Sequence, residues 1–276
     1  ALLENGNLDA AIKEVTRSIT INPDQQENLV PVLYESFTLA RMNEDAMLFA
    51  QENDIEECSS CLISLEWVRL NSGEKMAYEA LGGDPTVHEL SLFSIFKSLS
   101  NRTSNVGKEA LAEIISSPEQ KFSSHKLIAS EIALRLSMNE IALQGFTSVL
   151  SEKPANIWLN LPIAQSLISL NRFDDAKPYI NKILRVNKNN GLANFLNSLV
   201  FMNSLDYENA VLHGSRAHDY GYETPQTKLI LGLSQYRTQR FEAALNNFEA
   251  ASSSLPKQHF VNQMIIATRI KLGDNK

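Results

Sequence analysis

Four alanines recur at a constant interval along the second half of the chain: Ala142, Ala176, Ala210 and Ala244. Their neighbours keep the same spacing. An aromatic residue stands before three of these alanines, a phenylalanine stands after two, and a proline closes two of the units (Phe173, Tyr207, Phe241; Phe146, Phe248; Pro154, Pro256). A fixed period of about 34 residues indicates repeated helical units, each packed on the next.

The stretch from Pro225 to Gln258 shows the repeat most completely. It consists of two short amphipathic patterns separated by the polar residues Thr238 to Arg240. A helix of about a dozen residues is marginal in water by itself, so each helix needs neighbours that bury its apolar stripe. The alanine allows two helices to approach closely where they cross. Proline cannot continue a helix, so Pro256 marks the end of the unit.

This period, with its alanine, aromatic and proline spacing, resembles that of the tetratricopeptide repeat family. The resemblance implies an all-α fold, a right-handed superhelical solenoid of antiparallel helix pairs. We expect about fifteen helices in such an array, with each unit contacting only the units beside it.

The repeats are less regular in the first part of the chain. Residues 123–276 keep the regular register, with a truncated last repeat, whereas residues 1–122 carry degenerate repeats. In the degenerate part the apolar spacing predicts three helix pairs: 28–41 with 44–52, 55–70 with 74–81, and 90–99 with 108–115. The helix at 74–81 is centred on Ala77, and the run Gly82 to Pro85 predicts a loop after it.

Composition and charge restrict the class of partner. A hydrophobic content of 43 % and a charged content of 21 % are typical of a folded protein. The formal net charge of -7 argues against nucleic-acid binding, which needs a concentrated basic face. No stretch approaches the roughly 18 consecutive apolar residues of a membrane span, so we expect no direct membrane insertion.

The negative charge is concentrated near the start of the chain, where residues 1–88 hold 16 acidic and 5 basic side chains. An acidic cluster lies within this part and consists of Glu52, Asp54, Glu56 and Glu57. The cluster is interpreted either as a solvated face or as a docking site for a basic partner.

Residues that could carry chemistry are sparse. Cys58 and Cys61 form a C-x-x-C pair inside a predicted helix, without a second cysteine pair or a nearby histidine to complete a zinc site. We expect them to pack unbridged in a helix interface; a disulfide and a catalytic pair are the alternatives. The five histidines are scattered, and no phosphate-binding loop, G-x-S-x-G or H-E-x-x-H pattern is present. The sequence therefore predicts no enzyme, no bound metal and no cofactor.

The resemblance also implies where a partner would bind. In tetratricopeptide arrays the first helix of each pair lines a concave groove, and its exposed face selects the ligand. The matching positions here are Leu127, Glu131, Trp158, Leu161, Gln165, Phe195, Leu199, Leu229 and Leu233. Chaperone-binding members of the family place Lys and Asn on this face to clamp a carboxylate, whereas this chain has Leu or Phe. These apolar residues are either covered by adjacent helices or form a groove for an apolar helix or extended peptide.

We expect from these features a non-catalytic scaffold for protein–protein interactions, a segment of a larger bacterial protein. The opening, which contains the turn at Gly6 and Asn7, resembles repeat proteins of bacterial envelope and exopolysaccharide export systems. The alternative is a sensory or regulatory arm of a transcription regulator or enzyme that binds a peptide or small ligand. The start of the chain has no initiator Met or signal-peptide pattern, so its compartment cannot be read from it.

Overall fold

A computed structural model of the chain describes residues 8–22, 24, 29, 33, 48, 59–82, 84–101, 107–117, 123–154, 156–254 and 259–273. These ranges contain thirteen α-helices with defined bounds and no β-strand. The helices are α1 Leu8–Ile21, α2 Ser59–Asn71, α3 Val87–Ser100, α4 Lys108–Ser116, α5 Ser123–Arg135, α6 Asn139–Glu152, α7 Asn160–Ser169, α8 Phe173–Val186, α9 Gly191–Asn203, α10 Tyr207–Asp219, α11 Pro225–Arg237, α12 Phe241–Ser254 and α13 His259–Leu272. A 3₁₀ turn, Ile157–Leu159, leads into α7. The predicted fold class, an all-α solenoid of antiparallel helix pairs, is confirmed.

The same backbone turn joins the two helices of each described regular repeat, and its central conformation recurs after α13. Its central residue has a left-handed conformation, with φ between 59° and 84°, and recurs at the same interval as the alanines: Ser137, Asn171, Leu205, Gln239 and Gly273. The next N–H bonds back to a carbonyl five residues earlier, as from Arg240 to Gln235 at 2.8 Å. This bond satisfies a carbonyl that the helix end would otherwise leave unpaired. The second helices accordingly begin one period apart, at Asn139, Phe173, Tyr207 and Phe241.

The four alanines that define the period are completely buried, as their role at helix crossings requires. The crossing of α11 and α12 shows how tight the packing is. A Cβ atom added to Gly232 would lie 2.9 Å from the ring of Phe248 and 3.3 Å from the carbonyl oxygen of Ala244. Phe248, Ala244, Ala251 and Val261 form one buried cluster between α12 and its neighbours.

Helix packing divides the chain into two compact units, residues 1–162 and 163–276. In the first unit, α5 packs on α2, α3, α4 and α6. In the second, α8 to α13 pack in chain order, each helix on the next. The sequence analysis placed a different boundary, after residue 122, where the regular repeats begin. That boundary concerns repeat regularity and not helix packing, and it stays a prediction.

The degenerate part follows the sequence prediction only in places. Helices α2, α3 and α4 lie where 55–70, 90–99 and 108–115 were predicted. Of the predicted helices 28–41 and 44–52, the structure describes only residues 29, 33 and 48, each of them helical, and the acidic cluster is outside the described residues. So are Cys58 and the side chain of Cys61, and the expectation that they are unbridged stays a prediction.

The prediction of a helix at 74–81 is wrong. Residues 74–78 have no regular secondary structure. The carboxylate of Glu66, a side chain of α2 without solvent exposure, accepts hydrogen bonds from the backbone N–H groups of Ala77 and Tyr78 at 3.0 and 3.2 Å. A helix of two turns has little stability of its own, so these bonds determine the conformation of the segment.

Candidate partner-binding surface

Four of the predicted groove residues lie on two neighbouring helices of the second unit. Helices α9 and α11, the first helices of successive repeats, contact each other directly. Each carries two large apolar side chains at the predicted positions, and all four are half-buried: Phe195, Leu199, Leu229 and Leu233. We call these four residues the groove face. Half-burial means that each side chain takes part in helix packing and also keeps surface exposed to solvent.

Phe195 is held in place by an aromatic contact. Its ring lies 5.3 Å from that of Tyr222, centroid to centroid, at an interplanar angle of 36°. Tyr222 belongs to the segment that follows α10 and crosses the start of α9. A Cβ atom added to Gly191 would lie 2.8 Å from the Cβ atom of Tyr222, so a glycine is needed for this close approach. An aromatic ring fixed in this way loses little conformational entropy when a partner covers it.

Leu229 and Leu233 are held in place by packing against buried residues. Both pack against the buried cluster that includes Phe248 and Val261. The apolar strip ends at the next first helix, α13, where the equivalent positions are the exposed Gln263 and the half-buried Ala267. The groove face is therefore a strip about two helices wide with a polar residue at one border.

Gln165, also in the second unit, is half-buried on α7. In the first unit, Trp158 and Leu161 are half-buried, which leaves part of each side chain exposed. The indole N–H of Trp158 is buried and has no hydrogen-bond acceptor among the described residues.

Two of the predicted groove residues have structural roles in the first unit. Leu127 is 1 % exposed, so it belongs to the core and presents no surface to a partner. Burial on both sides of α5 is the reason, because this helix packs on four others. Glu131 is half-buried and accepts a hydrogen bond from the indole Nε1 of the buried Trp67 at 2.8 Å. This bond ties α5 to α2.

Trp67 makes two further contacts. Its ring stacks on Phe96 with centroids 5.9 Å apart, and the guanidinium of Arg135 lies 4.8 Å from the ring centroid. Trp67 therefore connects α2, α3 and α5, and Glu131 serves this connection.

A polar network inside the second unit was not found from the sequence. Nδ1 of His213 on α10 is 2.9 Å from Oδ1 of Asn194, and its Nε2 is 3.2 Å from Nδ2 of Asn197. The Asn194 amide group donates to two backbone carbonyls, so its oxygen accepts from His213 Nδ1–H and Nε2 is left as the acceptor for Asn197. The ring of His213 stacks on Phe201 at 5.3 Å.

Burial lowers the pKa of His213, and the charge of Arg216 lowers it further, so the ring is held in its neutral form. The asparagines of α9 are thus committed to internal bonds and do not face a ligand as a carboxylate clamp requires. The sequence signal that could have indicated this network is the pair Asn194 and Asn197, two amide side chains on the buried side of the otherwise apolar helix α9.

Among the described residues, no three His, Cys, Asp or Glu side chains are grouped so that they could hold a metal ion. No helix in the described ranges has the length and apolar character needed to cross a membrane.

Comparisons with known proteins find a match over part of the chain and similar solved structures. A family model described as Tetratricopeptide repeat matches residues 159–190. The chain is similar in structure to a chain of the APC/C hetero-tetramer Cut9-Hcn1, with a TM-score of 0.59 and 11 % identity over 97 % of this chain and 47 % of that one. It thus spans about half the length of that relative. It is also similar to MamA, residue 41 to the end, from Desulfovibrio magneticus RS-1, with a TM-score of 0.50 and 17 % identity over 62 % of this chain and 97 % of that one. At these identities the likeness shows the fold alone. None of the curated proteins compared matches the sequence.

Proposed function

We propose that the protein, whose residues 159–190 match the tetratricopeptide-repeat model, is a non-catalytic scaffold that binds a protein partner through the groove face of its second unit. The observation that carries the proposal is the half-exposed strip on α9 and α11, which consists of Phe195, Leu199, Leu229 and Leu233. We propose that these side chains form one contiguous apolar patch, which on a protein surface is typical of an interaction site.

The groove face has the features of an anchor site. Phe195 is fixed by Tyr222, and Leu229 and Leu233 rest on a packed cluster. Pre-organised apolar side chains pay little entropy on binding, and aromatic anchors at the centre of an interface carry most of its energy. The four positions hold no charged side chain, so the ligand that fits them is an apolar helix or extended peptide rather than a free carboxylate or a phosphate.

We also propose that this scaffold belongs to a bacterial envelope or exopolysaccharide-export assembly. Its support is the likeness of the opening residues to repeat proteins of those systems. The absence of a nucleic-acid partner is likewise proposed, on the net charge of -7.

A photo-crosslinking experiment in the source cells tests the groove face directly. A benzoylphenylalanine replaces Leu199 in one version of the protein and Leu212 in another. Leu212 is an exposed leucine on α10, outside the groove face, and serves as the matched control. We expect the same protein to be crosslinked from position 199 in repeated experiments and not from position 212.

The affinity for the crosslinked partner then provides the quantitative test. Phe195→Ala should weaken binding by roughly 2 kcal/mol or more, because it removes a buried aromatic anchor. Leu212→Ala should leave the affinity unchanged. The proposal fails if Phe195→Ala binds the partner like the wild type while circular dichroism shows both proteins equally helical.

A further inference from the structure

Helices α8 and α10, the second helices of two successive repeats, end in the same pair of residue types. Lys182 on α8 is followed four residues later by Val186, and Arg216 on α10 is followed four residues later by Tyr220. Residues four apart lie on one face of a helix. The N–H of Tyr220 donates to the carbonyl of Arg216 at 3.0 Å, so Tyr220 continues the register of α10. Both pairs are exposed to solvent, with Val186 66 % and Tyr220 41 % exposed.

The chain does not cover these helix ends in any described regular repeat. The equivalents of the two apolar residues are Glu152 on α6 and Ser254 on α12, and both are exposed. The equivalents of the two basic residues are Ser148 and Ala250, so among these repeats the combination is confined to α8 and α10. Packing of one repeat on the next therefore explains neither of the two exposed apolar side chains.

The ends of α8 and α10 belong to one region of the surface. A Cβ atom added to Gly191, the first residue of α9, would lie 2.9 Å from the carbonyl oxygen of Tyr220. Gly191 comes five residues after Val186, and five residues span at most about 18 Å. Lys188 lies on this short connection and is exposed. The exposed residues of the two helix ends can therefore contact one ligand surface together.

Four exposed cations accompany the two apolar side chains: Lys182, Arg185, Lys188 and Arg216. We call these four residues, with Val186 and Tyr220, the basic patch. In the described part of the second unit, the ion pairs with carboxylates involve other side chains. The neighbouring carboxylate of Asp219 leaves this region with more cations than anions.

The helix dipole explains only part of the basic patch. A cation in the last turn of a helix is favoured by the dipole, and Arg185 and Arg216 are in such positions. The dipole does not account for a large apolar side chain that is exposed beside the cation. Residues 163–276 as a whole hold 13 basic and 9 acidic side chains, so the net charge of -7 comes from the first unit. The basic patch therefore lies in the unit that an anionic surface attracts.

The composition of the basic patch matches a lipid surface better than a protein surface. Cations are attracted to the phosphates of an anionic bilayer, and tyrosine and apolar side chains enter its interfacial layer. The core of a protein interface is depleted of charged residues, whereas here four cations accompany two apolar side chains.

We infer that the basic patch is a membrane-binding surface, which adsorbs to anionic phospholipid headgroups without spanning the bilayer. The four cations contact lipid phosphates, and Val186 and Tyr220 enter the interfacial layer. This surface is distinct from the groove face, since it lies at the ends of α8 and α10.

Vesicles of defined composition provide the probe. One set contains phosphatidylglycerol and phosphatidylcholine in equal parts, and the other contains phosphatidylcholine alone. Co-sedimentation measures the binding of the full chain to each set. The double variant Lys182→Glu and Arg216→Glu reverses two charges of the patch, and the double variant Val186→Ser and Tyr220→Ser removes its apolar side chains.

The matched control reverses two charges elsewhere, in the double variant Arg237→Glu and Lys271→Glu. Both residues are exposed on first helices, α11 and α13. The control changes the net charge as much as the charge reversal in the patch, so it separates a local site from general attraction. All the substituted positions are exposed, and circular dichroism checks that every variant keeps its helical content.

We expect the wild type to bind the anionic vesicles at least about tenfold more tightly than the neutral ones. The charge reversal in the patch should remove this preference, because it replaces attraction to the lipid phosphates by repulsion. The serine variant should bind at least about threefold more weakly than the wild type, and the control should stay within about twofold of it.

The inference is overturned if the wild type does not bind the anionic vesicles, or if the control weakens binding as much as the charge reversal in the patch. It is also overturned if the serine variant binds like the wild type, because the apolar side chains would then not enter the interfacial layer. Poly-L-glutamate, which presents carboxylates without lipid, tests the other class of partner. If it binds in a way that depends on Lys182 and Arg216 while the vesicles do not bind, the partner is an acidic polypeptide and not a membrane.

Discussion

The described parts of residues 123–254 and of residues 59–117 are both largely helical, yet they reach this state by different means. In the first region each repeat has a buried alanine, a left-handed turn and evenly spaced helix starts. In the second region a buried carboxylate, that of Glu66, holds irregular backbone where a second helix was predicted. The comparison shows that a buried side chain can determine the conformation of a segment that lacks the signals of the regular repeat.

The largest effect is expected from the core of the regular region. Phe248→Ala removes a fully buried ring from the cluster between α12 and its neighbours, and it should cost about 3–5 kcal/mol. Hydrogen exchange of peptides from α11 to α13 measures this local free energy of opening.

Phe260→Ala is the matched control for that substitution, because this phenylalanine of α13 is half-exposed and should change the opening free energy by less than about 1 kcal/mol. Equal effects of the two substitutions would contradict the assignment of the cluster as the core of these repeats.

The degenerate region should respond to the loss of one carboxylate. Glu66→Leu leaves the N–H groups of Ala77 and Tyr78 without their acceptor, and it should destabilise the segment 74–82 by roughly 1–3 kcal/mol. Tryptic cleavage after the exposed Lys75 should become faster. Glu66→Gln keeps an acceptor oxygen in nearly the same place, so it should be cleaved almost as slowly as the wild type. If the leucine variant also resists cleavage, Glu66 does not hold this segment.

A change of pH should affect the two regions in opposite directions. The pKa of His213 is lowered by burial, so its contribution to stability is fully present above the ordinary value of 6.5 and is lost as the pH falls towards the lowered pKa. Burial raises the pKa of Glu66, so the folded state takes up this proton first and gains stability as the pH falls.

Proton NMR of the imidazole signals, assigned with His213→Gln, checks the histidine directly. Its midpoint should lie below the ordinary pKa of 6.5. A midpoint at or above 6.5 would show that burial and the network with Asn194 and Asn197 do not favour the neutral ring.

The smallest effect is expected at a turn. Leu205 has a φ of 62° and is 69 % exposed, so its conformation is unfavourable for leucine and no packing compensates for it. Leu205→Asn should raise the melting temperature, by an amount equivalent to roughly 0.5–1 kcal/mol, since asparagine adopts this conformation more readily. Leu212→Asn, at an exposed position inside α10, should not stabilise the protein.

The regular part of the fold was predictable because its signals are local and repeated. The alanine period located the crossings, and Thr238 to Arg240 marked the turn that Gln239 forms. The irregular backbone at 74–81 was not predictable, since it depends on Glu66, a residue about ten positions away whose burial is a tertiary property.

The candidate site was predictable to the extent that helical spacing defines a face. It located Phe195 and Leu229 at half-exposed positions, but it also included Leu127, which is buried because α5 has neighbours on several sides. The bond from Trp67 to Glu131 joins residues 64 positions apart, a distance that the repeat period does not encode.

The recurring left-handed turn also bears on how such a chain can change length. Leu205 and Gln239 have the same φ of 62°, so deletion of residues 205–238 would join two backbone segments that are already in the same conformation. A loss or duplication of one whole repeat therefore keeps the backbone conformation of each turn and alters only which helices become neighbours. A deletion of about half a period would place two first helices in succession, without the turn that reverses the chain. Recombination within a gene of this kind should accordingly yield folded variants in steps of one repeat.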